Sequence, residues 1–163
     1  MDVFVNSRLD YCNGVLAGIS AVHLQKLQTI QNGAARIVAR RRTFDPITST
    51  IWDDLHWLPI VKRIHFKQCM LVYKSLHGIA PSYIANMCVK RSVESEHHNL
   101  RSAVRGELVV PLARKSTLGR RSFKYSGPWL WNALLHGIRD SSLTFSQFRS
   151  WIKTLLYREA YYP

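Results

Sequence analysis

The chain has 163 residues, 47% hydrophobic and 11% aromatic with five Trp, an apolar content that excludes a disordered tail and suffices for one packed domain or two small ones. Twenty-three Lys and Arg stand against ten acids, a formal charge of +13. So much charge of one sign repels itself in a compact fold, and it points to a polyanionic partner, nucleic acid, ahead of a merely solvated basic surface.

Residues 3–18 read as a first helix, with Val5, Leu9, Cys12 and Leu16 at helical spacing and Gly18 to close it. Ser20 is placed to cap a second helix reaching about Arg41, with Leu24, Leu27, Ile30, Ala34, Ile37 and Val38 as its apolar stripe. The short link makes the two an antiparallel hairpin. Asp45-Pro46 then offers a cap and a first helical residue for a short helix ending near Leu55. Pro59 opens a longer helix through Leu76, closed by Gly78 and followed by Pro81; its apolar residues spread over more than one face, which marks a central helix. Residues 81–89 form one more short helix, and 90–106, polar and without aromatics, form a linker. Beyond it, Leu108-Val109-Val110-Pro111 and a partner around residues 118–123 read as a small hairpin. A helix is expected to start near Ser126-Gly127-Pro128. A last one starts at Thr144, where Thr144 and Gln147 make a capping box ahead of the stripe Phe145, Phe148, Ile152, Leu155 and Leu156. The expected class is mainly α: a helical bundle of about six helices with a small β-hairpin in the C-terminal half.

Cys12, Cys69 and Cys88 are widely spaced, form no C-x-x-C pair and gain no completing His, so no metal site is expected. Three thiols without a framework suit a reducing compartment, with Cys69 buried as a small apolar residue. No apolar run approaches the ~18 residues of a membrane span. MDVFVNSRLD lacks the order of a secretory leader, so secretion is not expected; the positive charge and the reducing compartment suit the nucleus or cytoplasm. No nucleophile elbow, phosphate loop or zinc helix is present, and His56, His65 and His77 read as packed or hydrogen-bonded residues rather than bases; neither cofactor nor catalysis is expected.

Binding chemistry remains. Arg36, Arg40, Arg41 and Arg42 put four Arg into seven residues, more than a helix C-terminus asks for, and read as a phosphate-contacting end. Between Arg101 and Lys124 lies the densest positive stretch. A hairpin edge presenting Arg114, Lys115, Arg120 and Arg121, with Lys124 beside it, would track a phosphate backbone. Of the nearby aromatics, Phe123, Trp129 and Trp131 are expected in the core and Tyr125 is open, whereas any that are exposed would stack on unpaired bases.

One set of blocks has a further resemblance. Ser7-Arg8-Leu9-Asp10-Tyr11-Cys12-Asn13, Leu24 to Val38, LHWLPIVKRIHFKQCMLVYKSLHGIAPSY from Leu55 to Tyr83, Val109-Val110-Pro111, Gly119 to Phe123 and Leu130-Trp131-Asn132-Ala133-Leu134 follow one another in order. Together they resemble the region downstream of the polymerase domain in LINE-type (non-LTR, jockey-like) retrotransposon reverse transcriptases, over nearly the whole chain. The resemblance implies a thumb-like helical region at 1–89 and, past the linker, a tail at 107–163 that helps hold element RNA or target DNA. Finger and palm blocks are missing. Asp53-Asp54, the one acidic doublet of the polymerase kind, has Ile51 at the aromatic position and falls in a capped helix, so it reads as surface. The parent would be an RNA-directed DNA polymerase, and this chain a non-catalytic fragment of it. Gly33 stands where relatives commonly have Ala, and His136-Gly137 replaces a Leu-Pro neighbourhood; with Met1 inside a thumb-like helix, these departures suggest a decayed or truncated copy. The implied partners are RNA, DNA or an RNA–DNA hybrid, and the palm domain of the parent polymerase. Two rival readings are a structural remnant that docks on that palm, and a host-recruited DNA-binding module.

Overall fold

The computed structural model describes residues 2–91, 106–113, 115 and 119–162. Among these residues the regular structure is helical and no strand is formed, so the mainly-α class stands and the hairpin does not. No helix among them is long and apolar enough to cross a membrane.

Helix α1, Asp2–Asp10, is shorter than its apolar spacing suggests. Cys12 takes a left-handed backbone (φ 51°), and the chain continues as a 3-10 turn, Asn13–Leu16. Tertiary contacts hold this break. Asn13 is buried with its amide donating to Asp10, and the Gly14 carbonyl accepts from Gln68 at 2.8 Å. Gly18 turns the chain at φ 68°, and a Cβ there would stand 2.9 Å from Arg121 Cγ. Helix α2, Ala21–Val38, starts after Ser20 as expected but ends short of Arg41, and the Ser20 hydroxyl makes no capping bond, pairing with the His23 ring instead. Gly33 on it has no atom within 4 Å of where a Cβ would go. Gly33→Ala is therefore expected to stabilise the protein by about 1 kcal/mol, the difference in helix propensity, read as a raised urea midpoint.

Asp45 does not start a helix. Its carboxylate turns back to accept the Arg42 N–H at 2.9 Å, and the helical stretch begins only at residue 48, continues as a π-helical turn, Thr50–Asp54, and ends near Leu55 as expected, where the Leu55 N–H reaches the Thr50 carbonyl. Helix α3, Ile60–Leu76, ends as the sequence requires, with Gly78 at φ 69° and the Ile79 N–H donating to the Lys74 carbonyl. Helix α4, Ser82–Ala85, is short.

The strand-like segment after the linker pairs in the other direction from the expected one. The Val109 N–H donates to Val89 and the Arg91 N–H to Glu107, around a single antiparallel bridge between Lys90 and Leu108. Asn132 completes the pairing, because its side-chain amide accepts the Leu108 N–H and donates to the Leu108 carbonyl, both at 2.8 Å. The supposed second strand is instead a turn at 119–122 leading into helix α5, Phe123–Ala133. Ser126-Gly127-Pro128 is thus inside α5, not at its start. This run lies close against α3: a Cβ on Gly127 would stand 3.1 Å from Val72 Cγ2. After a 3-10 turn, His136–Arg139, helix α6, Phe145–Tyr161, begins at the expected Thr144–Gln147 capping box.

Helix α3 is the axis of the fold, packed by α1, α2, α4, α5 and α6. The main core draws Leu58, Cys69, Val72 and Tyr73 from before residue 90 and Leu108, Trp131, Phe148 and Ile152 from after residue 106. The linker itself, 92–105, lies outside the described residues. Cys69 is buried as expected, and burial pushes its thiol up to about 12.

Buried polar side chains lock the helices in register. Gln31, fully buried, donates to the Leu58 carbonyl at 2.9 Å; Gln28 donates to Gln31 and accepts the Ile60 N–H at 3.0 Å. Gln68 ties the 3-10 turn to Ser126 of α5. Arg63 grips Asp10 through two bonds of 2.8 Å. Tyr161 donates to the Trp57 carbonyl at 2.7 Å. Leu-His-Trp-Leu-Pro, a largely buried irregular segment, therefore has backbone groups satisfied by side chains from α2 and α6.

Candidate nucleic-acid interface

The cationic candidates fall into two groups. The first is the end of α2. Arg40 adopts a left-handed backbone (φ 52°) at the position where glycine is usual; the Arg41 N–H donates to the Arg36 carbonyl at 2.9 Å and the Arg40 N–H to Ile37. A non-glycine residue there costs about 1–2 kcal/mol. The gain is that three successive Arg are thrown clear of the helix: Arg40, Arg41 and Arg42 are exposed, and none makes an ion pair among the described residues. Arg36 behaves differently. It is half-buried and its guanidinium lies 3.4 Å from the Asp45 carbonyl, bracing the turn below the three exposed Arg.

The second group surrounds the start of α5. Lys115, Arg120 and Lys124 are exposed, while Arg121 is half-buried with its side chain laid across Gly18. Arg114, with Arg101 and Arg105, lies outside the described residues. Among the described residues no hairpin edge aligns these cations: Arg120 and Arg121 sit in a turn and Lys124 in the first helical turn after it.

Among the aromatics, Trp131 is in the core as expected and Phe123 packs against that core, but Trp129 is 53% exposed. Trp129 and half-buried Tyr125 share with Arg120 a cleft of about 380 Å³, walled by Leu16, Leu24 and His65. A flat aromatic wall beside a guanidinium is the chemistry that takes an unpaired base and its phosphate. Its wall residue Leu24 and the exposed Arg40 are sixteen residues apart on or just beyond α2, roughly 24 Å at the helical rise. That is about seven steps of a duplex.

His65, on the cleft wall, titrates below its ordinary 6.5, chiefly through burial and then through the Lys62 ammonium, against the opposing pull of Glu159. The unfolded chain therefore binds the proton more tightly. Stability is fully present above pH 6.5 and is lost as the pH falls through the lower folded value. Melting temperatures measured downward from neutral pH are expected to drop in that window, and His65→Leu to flatten this part of the profile.

Asp53 and Asp54 are exposed on the π-helical turn. The sequence reading missed a third basic site: Lys67 of α3 with Arg149 and Lys153 of α6, around a cleft that also holds His56. The available signal was the spacing of four between Arg149 and Lys153, on the flank of α6 beside its apolar stripe. Comparison with family models, curated proteins and solved structures gave no match.

Proposed function

We propose that the chain is a non-catalytic, nucleic-acid-gripping piece of a LINE-type reverse transcriptase, binding RNA, DNA or an RNA–DNA hybrid through phosphate contacts without reading sequence. What supports this most is the strained end of α2, where Arg40, Arg41 and Arg42 stand exposed and without an ion pair among the described residues. Arg120, Tyr125 and Trp129 at the other end supply a second contact. The catalytic role of the parent polymerase belongs to residues this chain does not carry.

The test is a titration of the purified chain with a fluorescent single strand, a hybrid and a duplex at several salt concentrations. Binding is expected to weaken linearly in log salt, and Arg40→Gln/Arg41→Gln/Arg42→Gln to reduce the slope by up to ~2.7 on duplex DNA, about 0.9 for each phosphate no longer neutralised. No binding by the folded chain would sink this function. It would leave a palm-docking surface as the better account, which the exposure of Phe4 on α1 and of Ile30 and Ile37 on α2 favours. Such a surface would show itself as self-association of the isolated chain.

A further inference from the structure

The cleft of about 380 Å³ that runs from the Leu-His-Trp-Leu segment across α3 to α6 has a charge imbalance the fold does not use. Four cations line it: Arg63, Lys67, Arg149 and Lys153. The single carboxylate among the described lining residues, Asp10, is taken by Arg63 through a two-bond pair. Lys67, Arg149 and Lys153 are exposed and make no ion pair among the described residues. Three like charges around one concavity sum to a positive field that draws an anion to it.

One further observation points to an occupant. His56 is held in a left-handed backbone (φ 52°), a conformation costly for a non-glycine residue. The hydrogen bonds around it hold that geometry: Trp57 N–H to Ile51, Trp57 carbonyl from Tyr161, Leu58 carbonyl from Gln31. The outcome is an exposed imidazole stacked over Tyr157 with ring centroids 6.1 Å apart, at the rim of the cationic cleft.

The charge count selects the ligand. A phosphodiester inside a strand carries one negative charge, whereas a phosphomonoester carries about −1.5 to −2 near pH 7 and offers three acceptor oxygens. Three cations lining one cleft match the second better than the first. A concavity of this size also takes a compact terminal group rather than a continuous duplex. We propose that this cleft binds the terminal phosphate of a nucleic-acid strand through Lys67, Arg149 and Lys153, with the first base at the His56 rim. The proposal rests on the nucleic-acid reading above and names an end-specific contact within it.

The experiment compares one fluorescent single strand in two forms, with a terminal phosphate and with a terminal hydroxyl, against the full chain. The phosphorylated strand is expected to bind at least ~10-fold more tightly, about 1.4 kcal/mol. That preference should vanish in Lys67→Gln/Arg149→Gln/Lys153→Gln and survive in Arg40→Gln/Arg41→Gln/Arg42→Gln. All three cleft residues are exposed, and Gln is as good a helix former, so an unchanged melting curve confirms that the cleft variant is folded. Equal, salt-dependent binding of both forms to the wild-type chain overturns the site and leaves the phosphate-tracking reading standing. A preference that persists in the cleft variant also overturns the site. Failure of both strands to bind overturns both.

Discussion

Trp131→Ala is expected to leave the protein largely unfolded under conditions where the wild type is stable. Trp131 is 2% exposed at the centre of the main core, packed on Phe148 with ring centroids 5.6 Å apart. Truncating a buried aromatic of that size costs about 3–5 kcal/mol. The indole N–H also donates to the Gly106 carbonyl at 3.1 Å, and losing that partner adds about 1 kcal/mol. The sum is comparable to the whole stability of an ordinary domain, about 5–15 kcal/mol. The loss also reaches past one residue, since Asn132 beside Trp131 holds both backbone groups of Leu108. Urea unfolding of Trp131→Ala and Trp131→Phe separates the two contributions: Phe keeps most of the ring volume and loses only the donor, so its loss should be the smaller. An Ala variant within ~1 kcal/mol of wild type would mean that the tail does not close the core as described.

Helix positions were legible wherever the signal was local. Pro59 and Gly78 bracket α3, and Thr144 with Gln147 starts α6, because these residues act on backbone groups within a turn of themselves. The misses came from contacts distant in sequence. Val5, Leu9, Cys12 and Leu16 keep a helical spacing, but Gln68, more than fifty residues on, takes the Gly14 carbonyl and the helix stops at Asp10. Asp45-Pro46 reads as a cap, yet the Asp45 carboxylate satisfies a donor behind it rather than ahead. Leu108 to Pro111 looks like half of a hairpin, and its backbone is indeed paired, but by Val89, Arg91 and the side chain of Asn132. A short β-branched apolar run shows that a segment is extended, not which partner it finds.

The candidate interface was legible in composition and not in arrangement. The Arg40 to Arg42 run shows in the sequence, whereas the left-handed turn that exposes it depends on a backbone dihedral. Arg121 and Arg36 have the same composition as their neighbours but different roles, one lying across Gly18 and the other bracing Asp45. Trp129 and Trp131 are two residues apart in one helix, so they point about 200° apart, one to solvent and one to the core. The Lys67, Arg149 and Lys153 group spans more than eighty residues of sequence, and only the packing of α3 on α6 brings it together.

Gln31→Met should cost about 2–4 kcal/mol although it preserves side-chain length and apolar packing. Gln31 is fully buried, and its amide joins the Leu58 carbonyl to Gln28, which in turn accepts the Ile60 N–H that opens α3. Methionine fills the volume but donates nothing, so the Leu58 carbonyl is left buried and unpaired and Gln28 loses its anchor. The two glutamines act as a unit, and a double-mutant cycle with Gln28→Ala should return a coupling of about 0.5–3 kcal/mol. Additive losses would show instead that each acts alone. The consequence extends to binding. Leu58 is two residues from His56, so a loosened Leu-His-Trp-Leu segment releases the His56 backbone from its strained geometry and opens one wall of the cationic cleft. In protein that remains folded, Gln31→Met is therefore expected to erode any discrimination between phosphorylated and hydroxyl-ended strands while leaving the salt slope set by Arg40 to Arg42 unchanged. A variant that lost stability but kept that discrimination would show that the clamp serves the fold alone.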